Sequence, residues 1–132
     1  SKSRRSSSTT TRRNFIFFMK EISITLYAEC ASPDAAQAIA QSLLSALQAH
    51  GPKITKAPSP YWKIPEFYGF EISLNQASEA VFKALTASPE NLWTHLGDEY
   101  DRSSVWNPGT NADYFLVPQA RWAEVQFTVR EA

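Results

Sequence analysis

The chain has 132 residues, 43% hydrophobic and 13% aromatic, with 13 cations against 13 carboxylates and a formal net charge of zero. Its one cysteine, Cys30, excludes an intrachain disulfide and fits a reducing compartment, and no apolar run nears the ~20 residues that a membrane-spanning helix needs. Neutrality hides a partition: residues 1–18 hold five cations and no carboxylate, whereas the chain from Met19 onward sets eight cations against all 13 carboxylates, giving +5 and −5. Such an acidic domain suits a basic protein partner and is poorly suited to nucleic acid.

In chain order, Ser1 to Asn14 contain five Ser, three Thr, five cations and one Asn, and nothing to bury. A segment of that composition cannot repay its ordering entropy and is expected to be disordered. Three readings stay open for residues 1–18: an extension upstream of a natural start at Met19, a basic arm, or a targeting segment. Residues 19–132 are expected to form one domain, long enough to hide about two-thirds of its unfolded surface without a disulfide or a metal.

Glu21 to Tyr27 alternate strictly, with Ile22, Ile24 and Leu26 on one face, which predicts a half-buried strand. Ser32-Pro33-Asp34 then starts a helix: Ser32 caps, Pro33 takes the first turn and Asp34 complements the dipole. Its buried stripe is Ile39, Leu43, Ala46 and Leu47, and Gly51 supplies a left-handed cap. Residues 57–65 hold three prolines and read as a stiff extended loop carrying Tyr61 and Trp62. Phe67 to Leu74 alternate as a second strand. Asn75 is expected to cap a second helix with stripe Ala77, Val81, Phe82 and Leu85, and Ser88-Pro89-Glu90 to open a short third helix ending at Leu96. Ser103 to Trp106, Asp113 to Val117 and Trp122 to Arg130 read as strands, with a turn at residues 107–111. Strand–helix–strand crossovers mixed with hairpins predict an α+β fold, an antiparallel or mixed sheet with helices on one face, ferredoxin-like in broad plan.

No catalytic, cofactor or metal motif is present, and none of these is expected. His95 beside Asp98, Glu99 and Asp101 lacks the ligand spacing of a cation loop, and the acids read as a solvated or partner-facing run. His95 itself is placed in the last turn of the third helix. Cys30 has no base beside it, so a nucleophilic role is not expected. Exposed-looking aromatics carry more information, because Trp and Tyr dominate binding hot spots. Phe70, Phe82, Trp93 and Phe127 are assigned to the core, and Trp62, Tyr100 and Trp106 to an interface.

The stretch Ser104-Val105-Trp106-Asn107, followed by Val117-Pro118-Gln119-Ala120-Arg121-Trp122-Ala123-Glu124-Val125-Gln126-Phe127, within an acidic domain that starts at Met19, resembles the small immunity proteins of bacterial contact-dependent and related polymorphic toxin systems. The resemblance covers residues 19–132. It implies a cytoplasmic protein without catalytic residues that neutralises a cognate toxin domain, often a basic nuclease, by stoichiometric binding. The residues alone point the same way: carboxylates oppose a cationic surface and aromatic anchors slow dissociation. The expected partner-binding patch is Asp98, Glu99, Tyr100, Asp101, Trp106, Asn107 and Asp113, flanked by Trp62 and Glu66, on a monomer or homodimer. The alternative is a small-molecule-sensing or regulatory module on the same plan, with a concave apolar pocket between helix and loop.

Overall fold

The computed structural model describes residues 18–87, 92–107 and 115–131. Six strands and two helices follow one another as β1 (Phe18–Glu29), α1 (Pro33–Ala46), β2 (Pro52–Pro60), β3 (Phe67–Leu74), α2 (Glu79–Leu85), β4 (Trp93–Gly97), β5 (Asp101–Trp106) and β6 (Ala120–Glu131). The strands form one antiparallel sheet in the order β2-β3-β1-β6-β5-β4. Since β1 and β2 both run antiparallel to β3, they are parallel to each other, and α1 is the crossover between them. Among the described residues no helix is long and apolar enough to cross a membrane.

Strand parity sets the two faces. Ile22, Ile24 and Leu26 of β1 stand opposite Leu74, Ile72 and Phe70 of β3 on one side, and opposite Phe127, Val125 and Ala123 of β6 on the other. All nine are buried, and they share a single core with Ala36, Ile39, Ala40 and Leu43 of α1 and Phe82 of α2. Both helices therefore lie on this face. The opposite parity, Glu21, Ser23, Thr25 and Tyr27 of β1 with Glu124 and Gln126 of β6, leaves the other face open to solvent, as expected of an antiparallel sheet covered once.

Local signals explain most boundaries. Ser32 Oγ accepts from Ala35 N at 3.1 Å and Pro33 stands in the first turn of α1. Gly51, at φ 64°, turns the chain after a short 3-10 turn at Gln48–His50. Ala46, assigned to the buried stripe, is exposed, and Ala36 and Ala40 take that role. α2 is capped by Ser78, whose Oγ accepts from Val81 N at 3.2 Å, rather than by Asn75. Asn75 and Gln76 are engaged elsewhere: their N–H groups donate to the carbonyls of Gly51 and His50.

Three further expectations are corrected. The segment read as a third helix contains β4, so His95 is a strand residue paired with Ser104; residues 88–91 lie outside the described residues. Of the strand expected at 113–117, the described part is a single bridge between Phe115 and Val117. The first residues of the proline-rich segment, Ala57 to Pro60, belong to β2, whose register against β3 shifts twice.

α2 is only seven residues long, so side chains rather than length hold it to the sheet. Phe82 stacks on Phe127 with ring centroids 5.5 Å apart. Arg102 of β5 sits against both rings at 5.2 and 5.1 Å and forms a bidentate pair with Glu79, at 2.8 and 3.3 Å. The stacked rings add about 0.5–1.5 kcal/mol beyond their buried area.

Candidate docking surface

The open face has two unlike ends. At one end β4 turns into β5 through Asp98, Glu99 and Tyr100, all exposed, as is Asp101 at the start of β5. Asp98 Oδ1 accepts from Tyr100 N at 2.8 Å and Asp101 N at 3.0 Å. Those N–H groups hold the Asp98 carboxyl below its usual range, that of Tyr100 contributing most. Tyr100 is tied in turn through its carbonyl, which accepts from Val129 N at 2.8 Å. Gly97 makes the turn at φ 95°, and an added Cβ would stand 2.0 Å from the Asp101 carbonyl oxygen. The tip is a rigid acidic hairpin. Four other carboxylates of the described residues, Glu21, Glu29, Glu71 and Glu79, face cations, but Asp98, Glu99 and Asp101 have no ion-pair partner among the described residues.

At the other end an aromatic cluster forms where three strands finish. Tyr27 of β1 pairs with Trp122 of β6 on one side and with Gly69 of β3 on the other. A Cβ at Gly69 would lie 3.0 Å from the Tyr27 ring, which would have to shift by a few tenths of an ångström to admit it. Tyr61 packs on Tyr27 with centroids 4.9 Å apart, and Trp122 packs on Tyr27 at 5.5 Å. Trp62 follows edge-on to Tyr61 at 6.2 Å and is 79% exposed. Ile64 is 40% exposed on the same loop. That loop is closed by backbone bonds: Tyr61 N donates to the Phe67 carbonyl at 2.7 Å and Phe67 N to the Ile64 carbonyl at 2.9 Å. A register shift between Tyr27 and Ala28 accommodates Arg121, which pairs with Glu29 at 3.1 Å and donates to the Pro118 and Ala120 carbonyls.

The structure divides the expected patch. Asp98, Glu99, Tyr100 and Asp101 come together at the hairpin. Trp62 and Glu66 lie on the loop at the aromatic end, and exposed Asn107 lines a cleft there beside Trp122. The two groups flank opposite ends of the seven-residue run from Glu21 to Tyr27, about 20 Å at strand spacing. Trp106, assigned to the interface, is fully buried. Its pairing with Ala123 and Trp93 places it on the helix-covered face, where it also packs on Phe115. Asp113 lies outside the described residues. Phe70, Phe82, Trp93 and Phe127 are buried as expected.

His95 Nδ1 lies 2.6 Å from the Oγ of buried Ser104 on the helix-covered face, where both line a cleft of about 390 Å³ with Phe82, Lys83 and Arg102. Cys30 is buried, and burial raises its thiol pKa, which suppresses the thiolate. Among the described residues no three His, Cys, Asp or Glu side chains are grouped to hold a metal.

The aromatic end was partly visible in the sequence. Parity alone puts Tyr27 and Trp122 on the outward side of β1 and β6, alongside Thr25 and Glu124. What parity cannot give is the pairing that sets them side by side, or the return of the proline loop over them. Compared with protein-family models, with curated proteins and with solved structures, the chain matches none.

Proposed function

We propose that this chain is a binding protein of the immunity type, which neutralises a basic protein partner such as a toxin domain by covering it. The observation that carries the reading is Trp62, four-fifths exposed beside Ile64 on a loop already fixed by backbone bonds. Exposed aromatic patches with this composition mark protein contacts. The preformed loop loses little freedom on binding, so most of the buried aromatic area counts toward affinity. The hairpin contributes differently: its carboxylates attract a cationic partner from a distance and raise the encounter rate. Anchoring and attraction are thus assigned to separate ends of one face. The strand order β2-β3-β1-β6, with α1 crossing between parallel β1 and β2, supports reading the fold as a ferredoxin-like plan extended at one edge by β4 and β5.

The test is inhibition of a candidate toxin domain by the purified chain. A stoichiometric loss of toxin activity, reversed by Trp62→Ala in a variant that keeps its melting temperature, is the expected result. Full protection by Trp62→Ala at equal concentration would sink the docking assignment.

A further inference from the structure

We propose that the clefts on either side of Tyr61 receive a proline-rich segment of the partner in the polyproline II conformation. The proposal rests on reading the aromatic end as the docking surface and narrows it to one backbone shape. A cleft of about 260 Å³ is lined by Thr25, Tyr27, Tyr61, Trp62, Lys56 and Glu71, among others. A second, of about 500 Å³, is lined by Tyr27, Tyr61, Ile64, Asn107, Arg121 and Trp122, with Phe67. Tyr27 and Tyr61 belong to both, so Tyr61 is a ridge between two hollows.

Three properties of this surface match that ligand. The ring-to-ring steps of 4.9 and 5.5 Å set the scale of the ridges. A polyproline II chain rises about 3 Å per residue, so residues two apart, about 6 Å along the chain, step on the scale of these rings. Proline rings are flat, apolar and already fixed, and aromatic grooves receive them at low entropic cost. The third property is hydrogen-bond polarity. The lining side chains carry donors in the Tyr27 and Tyr61 hydroxyls, the Trp122 indole and the Asn107 amide, Arg121 being engaged by Glu29 and two backbone carbonyls, whereas consecutive prolines offer carbonyl acceptors and no N–H. Glu71, the carboxylate lining these clefts, lies 3.9 Å from Lys56 and stays half-exposed, so saccharides, which would use such an acceptor, are the competing ligands in the test.

The experiment titrates the full chain with oligoproline, proline–arginine and proline–lysine peptides, with a glycine–serine peptide and cello- and chito-oligosaccharides as controls, while the four indole N–H resonances are followed. Saturable shifts of Trp62 and Trp122, with buried Trp93 and Trp106 unmoved, are expected from at least one proline peptide. Tyr61→Ala should weaken that binding about tenfold, while Gln41→Ala, on the exposed side of α1, leaves the oligoproline response unchanged. Flat titrations with all three proline peptides overturn the proposal, as do saturable shifts with the saccharides instead, or shifts that survive Tyr61→Ala. If the proline peptides are silent while Trp62→Ala still abolishes neutralisation, the docking surface stands and the backbone shape is wrong. If Trp62→Ala leaves neutralisation intact, the docking surface itself falls.

Discussion

The hairpin end and the aromatic end of the open face are built from the same sheet yet solve opposite problems. At the hairpin, polar groups satisfy one another: Asp98 caps its own turn, Gln126 donates to Asp101 at 3.3 Å, and what remains exposed is charge. At the aromatic end, rings pack on rings and what remains exposed is apolar area. Charge acts over a Debye length, about 8 Å at physiological salt, whereas apolar contact acts only after water has left. A partner would therefore sense one end during approach and the other after arrival. Backbone bonds hold both ends, and at the hairpin Arg102 adds a tie to Glu79 of α2.

The comparison can be broken in four ways, starting with the largest effect. Trp106→Ala removes a fully buried indole from the helix-covered face and should cost about 3–5 kcal/mol in urea unfolding. A loss below about 1 kcal/mol would contradict its place in the core. Trp62→Ala should leave stability within about 0.5 kcal/mol and weaken partner binding by about 2 kcal/mol or more, chiefly through a faster off-rate in surface-plasmon measurements. Glu99→Lys with Asp101→Lys should do the reverse: association slows about tenfold at low salt, dissociation barely changes, and the difference fades as salt rises. Asp98 is kept in that variant because it holds the turn.

The smallest effect concerns pH. The Asp98 carboxyl sits below its ordinary value of 3.8 because folded backbone N–H groups favour the charged form. Its folded value lies beneath the unfolded one, so its contribution is complete above about pH 4 and is lost as pH falls through the lower, folded value. Amide exchange at Tyr100 and Asp101 should therefore accelerate below about pH 4, and Asp98→Ala should remove that dependence. Protection unchanged down to the acid limit would show that the cap contributes nothing.

Much of the framework was legible because it repeats. β1, β3 and β6 alternate cleanly, and α1 announces itself through Ser32-Pro33-Asp34. β4 was not legible: four of its five residues are exposed, so no alternation marks it, and the helical pattern read from Ser88-Pro89-Glu90 was carried on through it. Ser78 and Asn75 are both good caps, and the choice between them was made by distant carbonyls at Gly51 and His50. The site was half legible. Exposure of Trp62 and Tyr100 followed from prolines and acids in their vicinity, but the burial of Trp106 depended on its pairing with Ala123. The separation of acids from aromatics followed from strand direction, which no local pattern carries.

One consequence attaches to Gly97. No side chain fits at that position without colliding with the Asp101 carbonyl, so the bend is locked to a single residue type. Glu99 and Tyr100 at the tip carry no such restriction. The hairpin thus has a fixed hinge with freely exchangeable ornaments: the sign and size of the tip can change while the frame that displays it stays the same.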